Sequence, residues 1–313
     1  IFGDSMTQRS AQIGLQSEKL GVLLPGMGAV ASTFVAGVAA IRRGIAHPIG
    51  SLTQMAHLPG DSFATNSDMP LIKDVIPLVP LENLAFACWD INDESIFEAA
   101  KNSRVLDEAL LSRLEKELSE VRTRPAVFDS RYVRNLHGKH VLHGKTTMDV
   151  AEKLRDSIRE ARAELNVNRL VMIWCGSTEI HIEPSEVHQD IDAFERAMRD
   201  NHPSISPSMV YCWAALREGI PYANGTPNLS AEIPALRKLA EERGVPTAGK
   251  DFKTGQTLVK TVLAPMIKAR MLGLRGWFST NILGNRDGEV LDDPEAFKNK
   301  EATKLGVLDQ ILE

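Results

Sequence analysis

A charge-free stretch near the start of the chain, Leu20 to Ile41, constrains the fold more than any other feature. Its first residues, LGVLLP, are apolar as in a buried strand, and Gly26 and Gly28 follow as a turn. Residues 29–43 then have the composition and spacing of a helix. This order predicts a strand, a glycine turn and a helix whose free N-terminal amides hold a pyrophosphate.

Two other interpretations of this stretch stay open. The third glycine of the usual dinucleotide fingerprint is absent, with Ser32 or Thr33 near its place, so a plain strand-to-helix turn is also compatible. The stretch is also about as long as a bilayer is thick. Pro25 and three glycines would break a spanning helix near its start, which favours a strand and a helix over a membrane span.

Composition bounds the class of protein. With 313 residues, of which 43% are hydrophobic and 25% charged, the chain can bury large cores and is expected to form two domains. The net charge of -5 gives no general attraction to nucleic acid or to an anionic membrane, so neither is expected as a partner. Cys88, Cys175 and Cys212 lie in apolar surroundings without a CxxC spacing, which predicts free thiols and a cytoplasmic location.

Apolar runs and Gly or Pro punctuation divide the chain into alternating strands and helices. Strands are predicted near 20–24, 48–53, 83–89, 168–174 and 274–279, and helices near 29–43, 94–120, 146–165, 207–218 and 230–243. Such alternation predicts a mostly parallel sheet, which binds ligands beyond the carboxyl ends of its strands.

Asp90 ends the strand NLAFACWD, where a carboxylate can accept hydrogen bonds from both hydroxyls of an adenosine ribose. It lies about sixty residues beyond the glycines instead of the usual twenty or so, so a helix N-cap or a solvated turn is the alternative.

Residues 121–145 interleave three His with six Arg and Lys. Without a helical carboxylate partner, a basic surface loop is favoured there over a metal site, and metal binding is left undetermined.

Several motifs, in order along the chain, carry a family resemblance. They are LGVLLPGMGAVASTF, PIGSLTQM, FACWDINDESIFEAA, MIWCGSTE, PYANGTPN, AGKDFKTGQTLVKT, and NILGNRDG followed by KNKEATK. Together they resemble myo-inositol-1-phosphate synthase. The resemblance implies an α/β fold, a Rossmann-like doubly wound parallel sheet with a second α+β domain for catalysis and tetramerisation that is incomplete here. It places the NAD-binding domain at 1–256 and the start of the second domain at 257–313.

The resemblance also implies an activity: NAD-dependent conversion of D-glucose 6-phosphate to 1D-myo-inositol 3-phosphate, with NAD regenerated in each turnover, by a homotetramer.

Lys300 and Lys304 are four residues apart in a helix expected from Pro294, so both ammonium groups face one side. Alone, KNKEATK is typical of a solvated helix face. The resemblance instead makes Lys300 the base and proton shuttle, and Lys304 a substrate or enolate ligand.

Polar residues of the NILGNRDG turn are expected beside the nicotinamide and the substrate. Asn281 and Asn285 supply amide donors, and Asp287 orients a lysine or holds a water or cation, although such a composition also fits a plain turn. Asp251 completes the predicted catalytic set. The residues assigned to the cofactor are Gly26, Met27, Gly28, Ala29, Val30, Asp90, Cys175, Gly176, Ser177, Thr178, Gly225, Thr226, Asp251, Thr254, Asn285, Arg286, Asp287 and Lys300.

The chain departs from the family pattern in places. Ala29 and Val30 follow the glycines where some relatives have asparagines, Arg286 replaces a frequent asparagine, and Lys250 stands at an often acidic place. The family also continues past Glu313 with two further lysines, and the chain starts at Ile1, so a truncated chain with little synthase activity is expected. Alternatives are a dehydrogenase of another phosphorylated sugar and an inactive NAD-binding fragment or pseudoenzyme.

Overall fold

The computed structural model describes residues 18–58, 69–252, 255–278 and 285–312. Its centre is a six-stranded sheet in which every pairing is parallel, with the order β3-β2-β1-β4-β5-β6. This is the strand order of a dinucleotide-binding doubly wound fold, so the predicted fold class is confirmed. The strands are β1 Leu20–Pro25, β2 Leu84–Asp90, β3 Thr123–Pro125, β4 Arg169–Trp174, β5 Tyr222–Asn224 and β6 Thr247–Ala248.

Helices connect and cover these strands. They are α1 Ala29–Arg42, α2 Leu52–Met55, α3 Ile72–Val75, α4 Ile96–Ser103, α5 Glu108–Ser119, α6 Thr147–Leu165, α7 Ile191–Arg199, α8 Pro207–Arg217, α9 Pro234–Arg243, α10 Gln256–Ala269, α11 Arg286–Val290 and α12 Pro294–Leu312. Short 3-10 turns lie at Leu81–Asn83 and Glu186–His188. No helix among the described residues is both long and apolar enough to cross a membrane.

Two hydrophobic cores lie on opposite faces of the sheet because successive strand residues point to opposite sides. Val22 and Leu24 of β1 pack with α1, α4 and α5 on one face. Leu23, between them, faces a larger core made with α6, α7, α8 and α9. Both faces of the sheet are therefore covered, which leaves the ends of the strands as the place for a ligand.

Local sequence signals fix where several helices begin. Ser95 caps α4 by accepting a hydrogen bond from the N–H of Glu98, whose side chain bonds back to the Ser95 N–H. Thr146 and Asp149 form the same reciprocal arrangement at α6. Ser95, and not Asp90, is therefore the N-cap of α4, so the capping interpretation of Asp90 is wrong.

Some sequence-based boundaries were wrong. The strand predicted at 48–53 is a turn and the start of α2, since Pro48 cannot donate to a ladder and Gly50 has no side chain to pack. Residues 274–278 have no regular structure, and 279 lies outside the described residues. The helix predicted at 94–120 divides at Arg104, which has a positive φ of 54°. Strands β3, β5 and β6 were missed because two or three residues carry no periodicity.

The last helices pack beside the sheet domain. Helix α10 packs against α12, and the Lys268 ammonium donates to the Ile311 carbonyl at 2.9 Å. Helix α12 is in turn attached to the loop after β4, because the His181 N–H donates to the Glu295 carbonyl at 3.2 Å. The domain boundary after residue 256 stays a prediction.

Candidate functional site

A cavity of about 870 Å³ lies beyond the carboxyl ends of β1, β2 and β4. In the order of the sheet, β1 has β2 on one side and β4 on the other, so this is the point where the chain reverses its direction of winding. The cavity is therefore at the position where such folds bind dinucleotides. Twelve of the predicted site residues line it: Gly26, Met27, Gly28, Ala29, Val30, Asp90, Cys175, Gly176, Ser177, Asn285, Arg286 and Asp287.

The glycine turn forms the floor of the cavity. Gly26 has a φ of +88°, and a side-chain carbon there would lie 2.4 Å from the Cα and N atoms of Gly176. At Gly28 a side-chain carbon would have no atom within 4 Å, and Gly28 is the N-cap of α1 without a side-chain hydrogen bond. The turn therefore leaves open space in front of the first amides of α1, which is what a pyrophosphate needs.

Asp90 ties the end of β2 to this turn. Its Oδ2 accepts the Met27 N–H at 2.8 Å, and its Oδ1 accepts the Asn92 N–H at 3.1 Å. Burial raises the pKa of the Asp90 carboxyl, while the hydrogen bonds from Asn92 and Met27 and the charge of Arg286 oppose that shift. Asp90 thus shapes the turn and also lines the cavity where an adenosine ribose is expected.

The loop after β4 forms the second wall. The Cys175 N–H donates to the Pro25 carbonyl at 2.9 Å, and the Asn228 side chain donates to the Ser177 carbonyl at 3.0 Å. Burial raises the pKa of the Cys175 thiol to about 12, which favours the protonated thiol over the nucleophilic thiolate. The three cysteines are free, as predicted.

Four of the predicted residues lie behind this wall and do not line the cavity: Thr178, Gly225, Thr226 and Asp251. The Gly225 N–H donates to the Trp174 carbonyl at 2.9 Å, and the Asp251 N–H donates to the Asn224 carbonyl at 3.1 Å. The Thr226 hydroxyl donates to the Asn224 side chain at 3.0 Å. Such contacts hold the wall in place, so a direct role for these four residues stays a prediction.

The NRDG segment brings α12 to the cavity. Arg286 and Asp287 line the cavity, and the charge of Arg286 opposes the rise in the pKa of Asp90 that burial causes. The Lys300 ammonium lies 3.6 Å from Asp287 Oδ2, and the Lys300 side chain is 17% exposed. Asp287 therefore lies between Lys300 and the cavity. This position is compatible with the predicted role of Asp287 in orienting a lysine. Thr254, Asn281 and the Lys304 side chain lie outside the described residues.

The sequence analysis missed Glu179, which follows the predicted wall residues directly and also lines the cavity. Its side chain is buried, and its carboxylate accepts the Ser208 N–H at 2.8 Å and the Ser208 hydroxyl at 2.6 Å. The only available signal was its place just beyond a strand end. Among the described residues, no group of three His, Cys, Asp or Glu side chains could hold a metal ion.

Comparisons with known proteins agree with this geometry. The family model for myo-inositol-1-phosphate synthase, an NAD-binding domain model, matches residues 20–294. NAD is therefore the cofactor of this chain, as predicted.

Inositol-3-phosphate synthase 1 of Bacteroides thetaiotaomicron is 48% identical over 94% of this chain and 68% of its own length. The inositol-3-phosphate synthase of Drosophila melanogaster is 31% identical over 98% of the chain and 57% of its own length. The chain thus spans well under the full length of both relatives.

Among solved structures, inositol-3-phosphate synthase from Caenorhabditis elegans superposes with a TM-score of 0.85 at 27% identity. The alignment covers 93% of this chain and 60% of that one. The strand order, the glycine turn beside Asp90, the family model and these relatives agree, and the chain belongs to the myo-inositol-1-phosphate synthase family.

Proposed function

We propose that this chain provides the cofactor site and part of the catalytic site for converting D-glucose 6-phosphate to 1D-myo-inositol 3-phosphate. The observation that carries the proposal is the Asp287–Lys300 pair, because it places a lysine next to a carboxylate that lines the same cavity as the glycine turn. A basic residue beside a dinucleotide cavity is what oxidation of a sugar hydroxyl requires. The proposal includes a homotetramer and a cytoplasmic location, the latter supported by the three free thiols.

The residues that would hold NAD have separate tasks. The amides after Gly28 would bind the pyrophosphate, Asp90 the adenosine ribose, and the Cys175–Ser177 wall the nicotinamide half. Arg286 would add a positive charge on the open side of the cavity. NAD supplies the chemistry of accepting a hydride from the substrate and returning it later.

Lys300 would move the proton of the reacting hydroxyl. A hydride leaves a carbinol carbon only as the hydroxyl proton departs, so a base must lie within hydrogen-bond reach of that oxygen. Asp287 would keep the Lys300 ammonium directed toward the cavity through their 3.6 Å pair. On the family motif alone, we assign Lys304, Asn281 and Asn285 to substrate and enolate binding, and Asp251 to the catalytic set beside the cofactor.

Lys298 offers a matched control for Lys300, since both lie on α12. Lys298 is 62% exposed and lies 3.8 Å from Glu183, away from the cavity. We expect Lys300→Ala to lower kcat for inositol phosphate formation by about 100-fold or more, and Lys298→Ala to change kcat less than about twofold. Equal effects of the two substitutions would contradict the assignment.

The same assay separates this reaction from the alternatives. An isomerase recycles its coenzyme, so absorbance at the NADH band stays constant while product forms. A net dehydrogenase would accumulate NADH in proportion to product. An inactive fragment would bind NAD, measured by titration calorimetry, and form neither product nor NADH.

A further inference from the structure

Glu179 is the least expected residue of the cavity wall. It is only 2% exposed, although it follows a strand end and lines the cavity. A carboxylate in such a place loses its hydration, which is costly unless other groups replace it. The groups that hydrogen-bond to the Glu179 carboxylate in place of water, and their charges, therefore determine how readily it ionises.

The hydrogen bonds that replace water at the Glu179 carboxylate come from the start of α8. Glu179 Oε1 accepts the Ser208 N–H and Oε2 accepts the Ser208 hydroxyl, with Ser206 as a further donor. The titratable groups that face it are Tyr132 and Tyr222, both neutral near pH 7 and both with a pKa raised by burial. Among the described side chains, no Lys, Arg or His pairs with Glu179.

The backbone of Glu179 is held from two other sides. Its N–H donates to the Asn228 side chain at 2.8 Å, and its carbonyl accepts from the Asn299 side chain at 3.2 Å. Asn299 precedes Lys300 on α12. These contacts fix the carboxyl in the wall, so a change in its charge cannot be relieved by moving into water.

The topology places Glu179 on the nicotinamide side of the cavity. Asp90 ends β2 and marks the side of the adenosine ribose, and Glu179 follows β4 on the opposite side of β1. The nicotinamide ring carries a positive charge in NAD+ and none in NADH. A buried carboxylate on this side therefore interacts differently with the two forms of the coenzyme.

We propose that Glu179 is a charge-setting residue of the nicotinamide half, which when ionised favours NAD+ over NADH and when protonated loses that preference. The inference rests on the proposed NAD site. Burial raises the pKa of Glu179 to about 7, opposed by the hydrogen bonds from Ser208 and Ser206, so both states are populated near neutral pH. A carboxylate within about 10 Å of the ring changes an equilibrium constant by about tenfold at the effective dielectric of a protein.

The test measures the dissociation constants of NAD+ and NADH by titration calorimetry from pH 6.0 to 8.5. For the wild-type chain, we expect the ratio Kd(NADH)/Kd(NAD+) to rise about tenfold across this range, because Glu179 ionises. For Glu179→Gln the ratio should stay constant. Asp90, whose pKa is also raised, lies on the adenosine side and should affect both forms alike, so it cancels in the ratio.

Two further variants make the result decisive. Glu195→Gln is the matched control, since Glu195 is a poorly exposed carboxylate bonded to Trp213 at 3.0 Å and lies outside the cavity. It should keep the wild-type pH dependence. Ser208→Ala removes one donor to the carboxylate and should move the rise to higher pH, which gives a reading if Glu179→Gln does not fold.

Each outcome has one meaning. A wild-type ratio that does not change with pH, or a Glu179→Gln ratio that changes as in wild type, would overturn the inference while leaving the NAD site intact. If neither coenzyme form binds at any pH, the proposed NAD site itself is wrong.

Discussion

Replacing Gly26 with alanine should destabilise the fold through two separate effects. The backbone has a φ of +88°, which a residue with a side chain adopts at a cost of about 1–3 kcal/mol. The added carbon would also lie 2.4 Å from the Cα and N atoms of Gly176. Both are backbone atoms, so no rotamer change relieves the overlap, and repacking of this kind costs about 1–3 kcal/mol.

The two effects together predict a loss of about 4 kcal/mol in the free energy of unfolding. In a chain of 313 residues, that corresponds to a fall in Tm of about 6 °C. Differential scanning calorimetry measures both quantities. A Gly26→Ala variant within about 1 kcal/mol of wild type would refute the reasoning, because it would mean that the turn and the loop after β4 separate freely.

Gly28→Ala is the informative comparison, because it should damage binding and not folding. Gly28 has a φ of -93° and open space around its Cα, so an added methyl group meets no protein atom. Stability should change by about 1 kcal/mol or less, mainly through the weaker N-cap. The methyl group would occupy the approach of the pyrophosphate, so the Kd for NAD should rise about tenfold or more. Unchanged affinity would place the coenzyme elsewhere.

Three further outcomes follow from the structure. Because burial raises the Glu179 pKa from 4.5 to about 7, its contribution to stability is present below pH 4.5 and lost as pH rises through about 7. The free energy of unfolding in urea should therefore fall between pH 5 and pH 8 by about 3 kcal/mol more for wild type than for Glu179→Gln. The same pH dependence in both proteins would contradict this prediction. Gly37→Ala, within α1 and with no atom near the added carbon, should stabilise the chain by about 0.5–1 kcal/mol, and a lower Tm would contradict this. Asp90→Asn should weaken NAD binding about tenfold and relax the rejection of a 2′-phosphorylated coenzyme, as a comparison of the two Kd values would show.

The beginning of the sheet was predictable because its signals are local. The apolar run of β1, the glycine turn and the spacing of α1 lie within about twenty-five residues, and the strand end at Asp90 is visible in the sequence. The two caps at Ser95 and Thr146 are equally local signals, although the sequence analysis did not use them. Elements of this kind need no knowledge of distant contacts, which is why their type and place came out well.

The layer behind the cavity wall could not be predicted in the same way. A motif match places Gly225 and Thr226 near the cofactor, but it does not tell whether a residue lines the cavity or supports one that does. Glu179 was missed because a glutamate in a polar segment is usually exposed. Its burial depends on Ser208, 29 residues further along the chain, and that contact has no periodic signal.

Protein hydrogen bonds hold the glycine turn on three sides. The Gly26 N–H donates to the Trp89 carbonyl at 2.8 Å, the Pro25 carbonyl accepts from the Cys175 N–H, and the Met27 N–H donates to Asp90. A turn restrained in this way has little conformational freedom to lose when a coenzyme binds, so more of the contact energy is left as affinity. Association should accordingly behave as simple docking in one kinetic phase, with no slow rearrangement of this turn.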